Sequence, residues 1–149
     1  MKRNKTQVTI ISLVLLMLGA CASVMESATN DMAANLSSAI MNQDDPETVR
    51  DGAPAYLLLL DSFIAGSPDN PAMLAAAAEL YAAYGVIFVA EPQRADRLTK
   101  RALTYGQQSL CASNKSACGI YTLNFQEFEI ALSKLDKKDA ASLYSFGLT

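Results

Sequence analysis

The chain has 149 residues, 51% hydrophobic and 18% charged, with neither His nor Trp. That length makes one domain with a real core, and the absence of His removes His-based acid–base catalysis, the usual catalytic triads and nearly all catalytic zinc sites. Three of its twelve positive charges are Lys2, Arg3 and Lys5; the remainder sets nine positive against fifteen negative charges, an acidic body that excludes nucleic acid as a partner, while its apolar content excludes disorder.

Residues 1–20 read as an export signal. Lys2, Arg3 and Lys5 form its positive end, and Val8 to Ala20 is a 13-residue apolar run broken only by Thr9, Ser12 and Gly19. A spanning helix needs about 20 apolar residues, so this run suits a signal-peptide core. It ends Leu18-Gly19-Ala20-Cys21, which resembles the bacterial lipobox. That resemblance implies lipidation at Cys21; the plainer alternative is an uncleaved N-terminal anchor with an incidental Cys. Several acyl chains hold a protein on a membrane where one gives only marginal binding. Ala22 and Ser23 follow the Cys, and neither is the Asp that retains lipoproteins at the inner membrane. The expectation is a lipid-anchored protein of the bacterial cell envelope, on the periplasmic face and at the outer membrane. Residues 21–30 form a tether and residues 31–149 a helical domain.

The helical domain carries no sustained period-2 alternation, and the fold expected is all-α. Met32, Leu36 and Ile40 recur at helical spacing. Asp45 can cap a start at Pro46, with Glu47 in the first turn. Gly52 and Pro54 then predict a break, and a helix apolar almost all the way round runs from Pro54 to Gly66, which predicts burial between other helices. Asn70 caps an Ala-rich helix over about 71–90, in which Gly85 predicts a kink or a close contact. A helix over about 93–111 buries Ala95, Leu98, Ala102, Tyr105 and Leu110 and turns Arg94, Arg97, Lys100, Arg101 and Gln107 to water. A polar loop from Ala112 to Gly119 follows, then a helix near Asn124 to Lys134 and a short one from about Asp136.

Cys111 and Cys118 enclose six residues. Beyond the membrane such a pair oxidises, and the spacing is easy for a loop disulfide; a metal site needs more ligands and has no His to draw on. Asp61 sits on a very apolar helix. It is read either as a carboxylate at the helix surface, alone or paired with an Arg, or as a polar contact lining an internal groove. Arg50 and Asp51 either pair locally or line the same mouth. Tyr56, Tyr81 and Tyr84 are either core or the wall of a ligand channel with polar tips. Neither a catalytic constellation nor a metal or cofactor site is visible, which points away from an enzyme.

The pair of helices from Pro71 to about Tyr105 resembles a tetratricopeptide unit, with Leu80 and Tyr84 in large-residue places and Ala95 and Ala102 seven residues apart. Its Trp place holds Ala77, its Gly place holds Tyr81, and the connection is about two residues longer than the repeat's. The segment Asp-Asp-Pro-Glu-Thr-Val-Arg-Asp-Gly-Ala-Pro-Ala-Tyr-Leu (44–57), with Leu80-Tyr81-Ala82-Ala83-Tyr84 and Arg101-Ala102-Leu103-Thr104-Tyr105, resembles the TatT family, lipoproteins associated with tripartite ATP-independent periplasmic (TRAP) transporters. The resemblance implies antiparallel helix pairs in a tetratricopeptide-like superhelical array, a homotrimer with a channel through each subunit, and a periplasmic solute-binding protein as partner. It also implies a chain roughly twice this long, so the expectation is a short form that self-associates or is poorly stable. The role implied is a non-enzymatic scaffold that docks the binding protein and passes small or hydrophobic ligands; the alternative is a structural envelope-assembly lipoprotein with no ligand. Radiolabelled palmitate is expected to enter the wild-type chain and not Cys21→Ser; equal labelling of the two would remove the lipid anchor from this reading.

Overall fold

The computed structural model describes residues 34–149, together with residues 7, 8, 27, 28 and 30–32; the leader's cut site and Cys21 lie outside the described residues. The chain divides into two units, Met1–Met32 and Ala33–Thr149, and the second holds all that follows. Its elements are helix α1 (34–41), α2 (Pro46–Gly66), α3 (Pro71–Ile87), α4 (Pro92–Ser113), α5 (Phe125–Leu132) and α6 (Ala140–Gly147), with three 3-10 turns between α4 and α6. Among the described residues there is no strand, as the all-α reading expects.

Local chemistry sets most helix starts. The Asp45 carboxylate accepts from the Glu47 amide, with Pro46 in the first turn. Asn70 accepts from the amides of Ala72 and Met73, ahead of Pro71. Asn124 and Glu127 form a capping box at α5. Each satisfies backbone donors that a helix leaves without partners at its N-terminus.

The expected break at Gly52 and Pro54 does not occur. α2 runs through Pro54 in one piece. A proline inside a helix removes the N–H that would bond the carbonyl four residues back, here that of Arg50. The Tyr84 hydroxyl, arriving from α3, donates to that carbonyl at 3.2 Å. A tertiary hydrogen bond thus takes the place of the missing helical one.

Nor is α2 enclosed. It buries one stripe, Ala53, Leu57, Leu60 and Ile64, while Leu58 remains 69% exposed. The reason is its neighbourhood: α3 is its principal helical contact, and only one face meets it. The Ala-rich α3 is instead the central helix. Met73, Leu74, Ala77, Ala78, Leu80, Tyr81 and Tyr84 are all buried on it, where small side chains let three neighbours approach.

α4 runs antiparallel to α3. Gly85 lies against Leu98 and Thr99, so that a Cβ there would stand 3.2 Å from the Leu98 Cβ; the helix stays continuous, and of the two readings of Gly85 it is the close contact that holds. At the other end the Ser109 hydroxyl donates to the Pro71 carbonyl. α4 extends to Ser113, so Cys111 is helical and the expected polar loop is shorter; a 3-10 turn at Lys115–Ala117 follows. α6 then crosses back over α4 at Gly106, where a Cβ would come within 3.1 Å of the Phe146 Cα.

The short helix expected from about Asp136 is α6, and its seam with α4 is partly polar, with Leu143 and Phe146 packed against the Leu110 cluster beside it. Ser142 and Ser145 are its buried residues, while Tyr144 is 64% exposed. Ser142 pairs with Ser109, and Ser145 donates to the Glu79 carboxylate on α3. The Asp139 carboxylate accepts from the Asn114 amide, the Asp136 backbone N–H and the Ser113 hydroxyl, which hold its pKa down to about 2. No buried side-chain nitrogen or oxygen among the described residues lacks a hydrogen-bond partner, as a settled core requires. α5 contributes little: Ala131 is buried, but Phe125 and Ile130 are 73% and 58% exposed.

The Pro54 arrangement predicts a specific coupling. Tyr84→Phe is expected to cost about 1 kcal/mol by leaving the Arg50 carbonyl unpaired, and close to nothing in a Pro54→Ala background, where the helix supplies its own bond. Urea unfolding of the four proteins of this cycle measures it; equal costs in both backgrounds would show that Tyr84 acts by packing alone.

Candidate functional site

The α2 stripe that ends at Leu60 and Ile64 sets Asp61 beside α3. Its carboxylate is 19% exposed and serves three donors. The Tyr81 hydroxyl of α3 donates to Oδ2 at 2.8 Å, and the Tyr105 hydroxyl of α4 donates to Oδ1 at 2.7 Å. The Arg101 guanidinium of α4 meets Oδ2 at 3.1 Å. Arg101 Nε also donates to the Tyr105 oxygen at 3.3 Å. Its guanidinium lies 5.4 Å from the Tyr81 ring centre and 5.8 Å from that of Tyr105, within the range of cation–π attraction. One carboxylate thus binds three helices.

The contacts raise the pKa values of Tyr81, Tyr105 and Arg101. Burial, then the hydrogen bond to Asp61, raises the phenol pKa of Tyr81 and of Tyr105 above the ordinary value of 10.0. The hydrogen bond to Tyr105 raises the Arg101 pKa. Both phenols stay protonated and remain donors at every physiological pH. The two phenols and the guanidinium all act as donors to the one carboxylate. It positions helices.

The sequence reading of Asp61 as paired with an Arg matches this geometry, and Tyr81 joins it. The cluster's other members were missed. Arg101 was read as facing water and Tyr105 as plain core, although their spacing of four on α4 sets them on one helix face. The remaining candidates lie elsewhere. Tyr84 bonds the Arg50 carbonyl, stacks at 5.7 Å on Phe88 and carries Arg94 over its ring at 5.9 Å. The Arg50 side chain is half exposed and pairs locally with Asp51 at 3.0 Å and Glu47 at 3.8 Å; such surface pairs contribute little. Tyr56 lines a recess of about 170 Å³ between α1 and α2.

The other face of α3 carries an apolar groove. One cavity of about 340 Å³ lies between α1, α3 and α6, walled by Met41, Val86, Ile87, Tyr144 and Leu148 with Ser37 and Glu79 as its polar points. A second of about 280 Å³ lies between α1, α2 and α3, and includes Val49, Ala53, Tyr84 and Phe88. The two share Met41, Leu80, Ala83 and Ile87, so they are two parts of one groove. Their size is at the lower end of the roughly 300–1,000 Å³ of small-molecule sites. Asp61 and Tyr81 are not among the lining residues. Sequence reasoning missed the groove because Val86, Ile87 and Tyr144 look like core on a helical wheel; they are 74%, 68% and 64% exposed.

A disulfide joins Cys111 at the end of α4 to Cys118, with the Cα atoms 4.4 Å apart. It closes the turn that seats Ala117 and Ile120 against Leu110. Among the described residues no group of three or more His, Cys, Asp or Glu could hold a metal ion, and no helix is long and apolar enough to cross a membrane.

Residues 42–149 match the protein family described as the TRAP transporter T-component. No curated protein and no solved structure matches the chain.

Asp61→Ala is expected to lower stability by about 1–3 kcal/mol by orphaning three donors. In the wild type, alkaline titration of the six tyrosines followed by phenolate absorbance should show a late-ionising group. Because the raised phenols resist ionisation only when folded, stability should hold up to about pH 10 and fall above it. Six tyrosines ionising together with the fold intact would contradict the cluster.

Proposed function

The chain belongs to the TRAP transporter T-component family, and we propose that it serves there as a non-enzymatic helical scaffold that docks the transporter's periplasmic solute-binding protein and passes small or hydrophobic ligands. The observation that carries this reading is the groove across α3. Its large apolar side chains are exposed on a body whose other polar groups are satisfied internally, and exposed apolar surface of that kind marks binding. The all-helical bundle supplies rigid walls on three sides, and Met41 offers an adaptable one.

Acylation at Cys21 would hold the scaffold on the periplasmic face of the envelope, at the outer membrane. In that compartment the Cys111–Cys118 disulfide persists. The exposed outer face of α2, with Leu58, suits packing against another copy, in keeping with the trimer that the family resemblance implies. Of the sequence candidates, Tyr84 and Tyr56 line apolar recesses and are the ones we assign to ligand contact. Asp61 and Tyr81 hold the walls in place, and Arg50 offers a backbone acceptor rather than its guanidinium.

Val86→Asp changes an exposed position and should leave the helical content and melting temperature of the protein unaltered. The binding protein of the same transporter is expected to co-purify with the wild-type lipoprotein and to be lost, by at least about tenfold, with Val86→Asp. Undiminished recovery would remove the groove from the docking surface. Native mass spectrometry that finds no bound apolar molecule in the wild type would favour the assembly role without ligand.

A further inference from the structure

The groove is apolar along its length but not at every point. Glu79 of α3 lines the 340 Å³ cavity, half-buried, and its Oε1 accepts the Ser145 hydroxyl from α6. That bond holds one oxygen of the carboxylate at the groove wall, and no hydrogen bond is made by Oε2 among the described residues. No cation pairs with it among the described residues: Arg50, Arg97, Lys100, Arg101 and Lys138 all pair with other carboxylates. Neither cavity has a Lys or Arg among its lining residues, and Glu79 is the one carboxylate there.

A half-buried carboxylate without a cation, set in an apolar wall, selects its ligand by charge. An alkyl carboxylate would place a second negative charge beside Glu79 in a site of low polarity, which is unfavourable. An alkyl amine is protonated at neutral pH, with a pKa of about 10.4 by comparison with Lys. Its ammonium can donate to Oε2, a charge-assisted bond stronger than one between neutral groups. Its chain can lie along Met41, Val86, Ile87 and Leu148 and remove their exposed surface from water. We propose that the groove takes a long-chain aliphatic amine, with the Glu79 carboxylate seating the ammonium and the α1–α3–α6 walls covering the chain. This assignment rests on the reading of the groove as a ligand site and adds the chemistry of the ligand's head.

The test uses the full chain in neutral phosphatidylcholine vesicles and three photoreactive diazirine probes of equal chain length, an amine, a carboxylate and an alcohol. Labelled peptides are mapped by mass spectrometry. The amine is expected to label the peptides holding Met41, Val86–Ile87 and Tyr144–Leu148 about tenfold more than the carboxylate. Glu79→Gln keeps an acceptor for Ser145, and is expected to reduce amine labelling to the level of the alcohol while alcohol labelling is unchanged. Carboxylate labelling equal to or above that of the amine would overturn the assignment of the head group and leave the groove as a ligand site. Labelling of these peptides by none of the three probes would overturn the ligand site itself. Amine labelling that survives Glu79→Gln at full strength would show that the carboxylate does not seat it.

Discussion

One carboxylate sets the arrangement of the first three packed helices. Asp61 leaves α2 and receives a phenol from α3, a phenol from α4 and a guanidinium from α4. Hydrophobic burial between these helices has no direction of its own; Ala-rich surfaces in particular slide at little cost. The three donors give the contact a register, since a shift of one residue on any helix would orphan a mostly buried charge. An unpaired charge in such a place costs far more than a hydrogen bond contributes. The guanidinium lies against both tyrosine rings, whose centres are 5.8 Å apart, so that the one long flexible member of the cluster is held by two aromatic contacts as well as by the carboxylate.

The same economy appears where the helices contradict simple rules. Pro54 sits inside α2 without ending it because Tyr84 supplies the donor that proline lacks. Gly85 and Gly106 are interior to helices, where they weaken the local structure, and both stand where a neighbouring segment approaches closely enough to crowd a Cβ. The α4–α6 seam adds serine hydroxyls and the Asp139 carboxylate to the packing of Leu143 and Phe146 against the Leu110 cluster. Small and polar groups at crossings bring helix axes together; large apolar groups are displaced to the outside, where Val86, Ile87 and Tyr144 become the rim of a groove.

That displacement connects the packing to the function. A family of transporter components needs surfaces that hold and release molecules, and the bundle offers an apolar groove on one face of α3 and a closed polar cluster on the other. The cluster's tyrosines titrate well above neutrality and stay donors to Asp61. The groove has one carboxylate among its described lining residues, Glu79, held by the Ser145 hydroxyl and with no cation on it among the described residues. The polar cluster fixes one side of α3, and the apolar groove lies open on the other.

The sequence by itself determined what depends on neighbours along the chain. Asp45, Asn70 and Asn124 announce helix starts because a cap bonds amides two or three residues away, and the helical period of the apolar residues marks an all-α domain. The quoted segments from Asp44 to Tyr105 were enough to mark the family. The tertiary structure decided what depends on partners distant in sequence. Asp61 and Tyr105 are 44 positions apart, and Glu79 and Ser145 are 66; no spacing rule joins them. Pro54 was read as a break because its rescuing donor comes from another helix. A helical wheel shows which face is apolar and not whether a neighbour covers it, and Phe125, Ile130 and Tyr144 stay exposed.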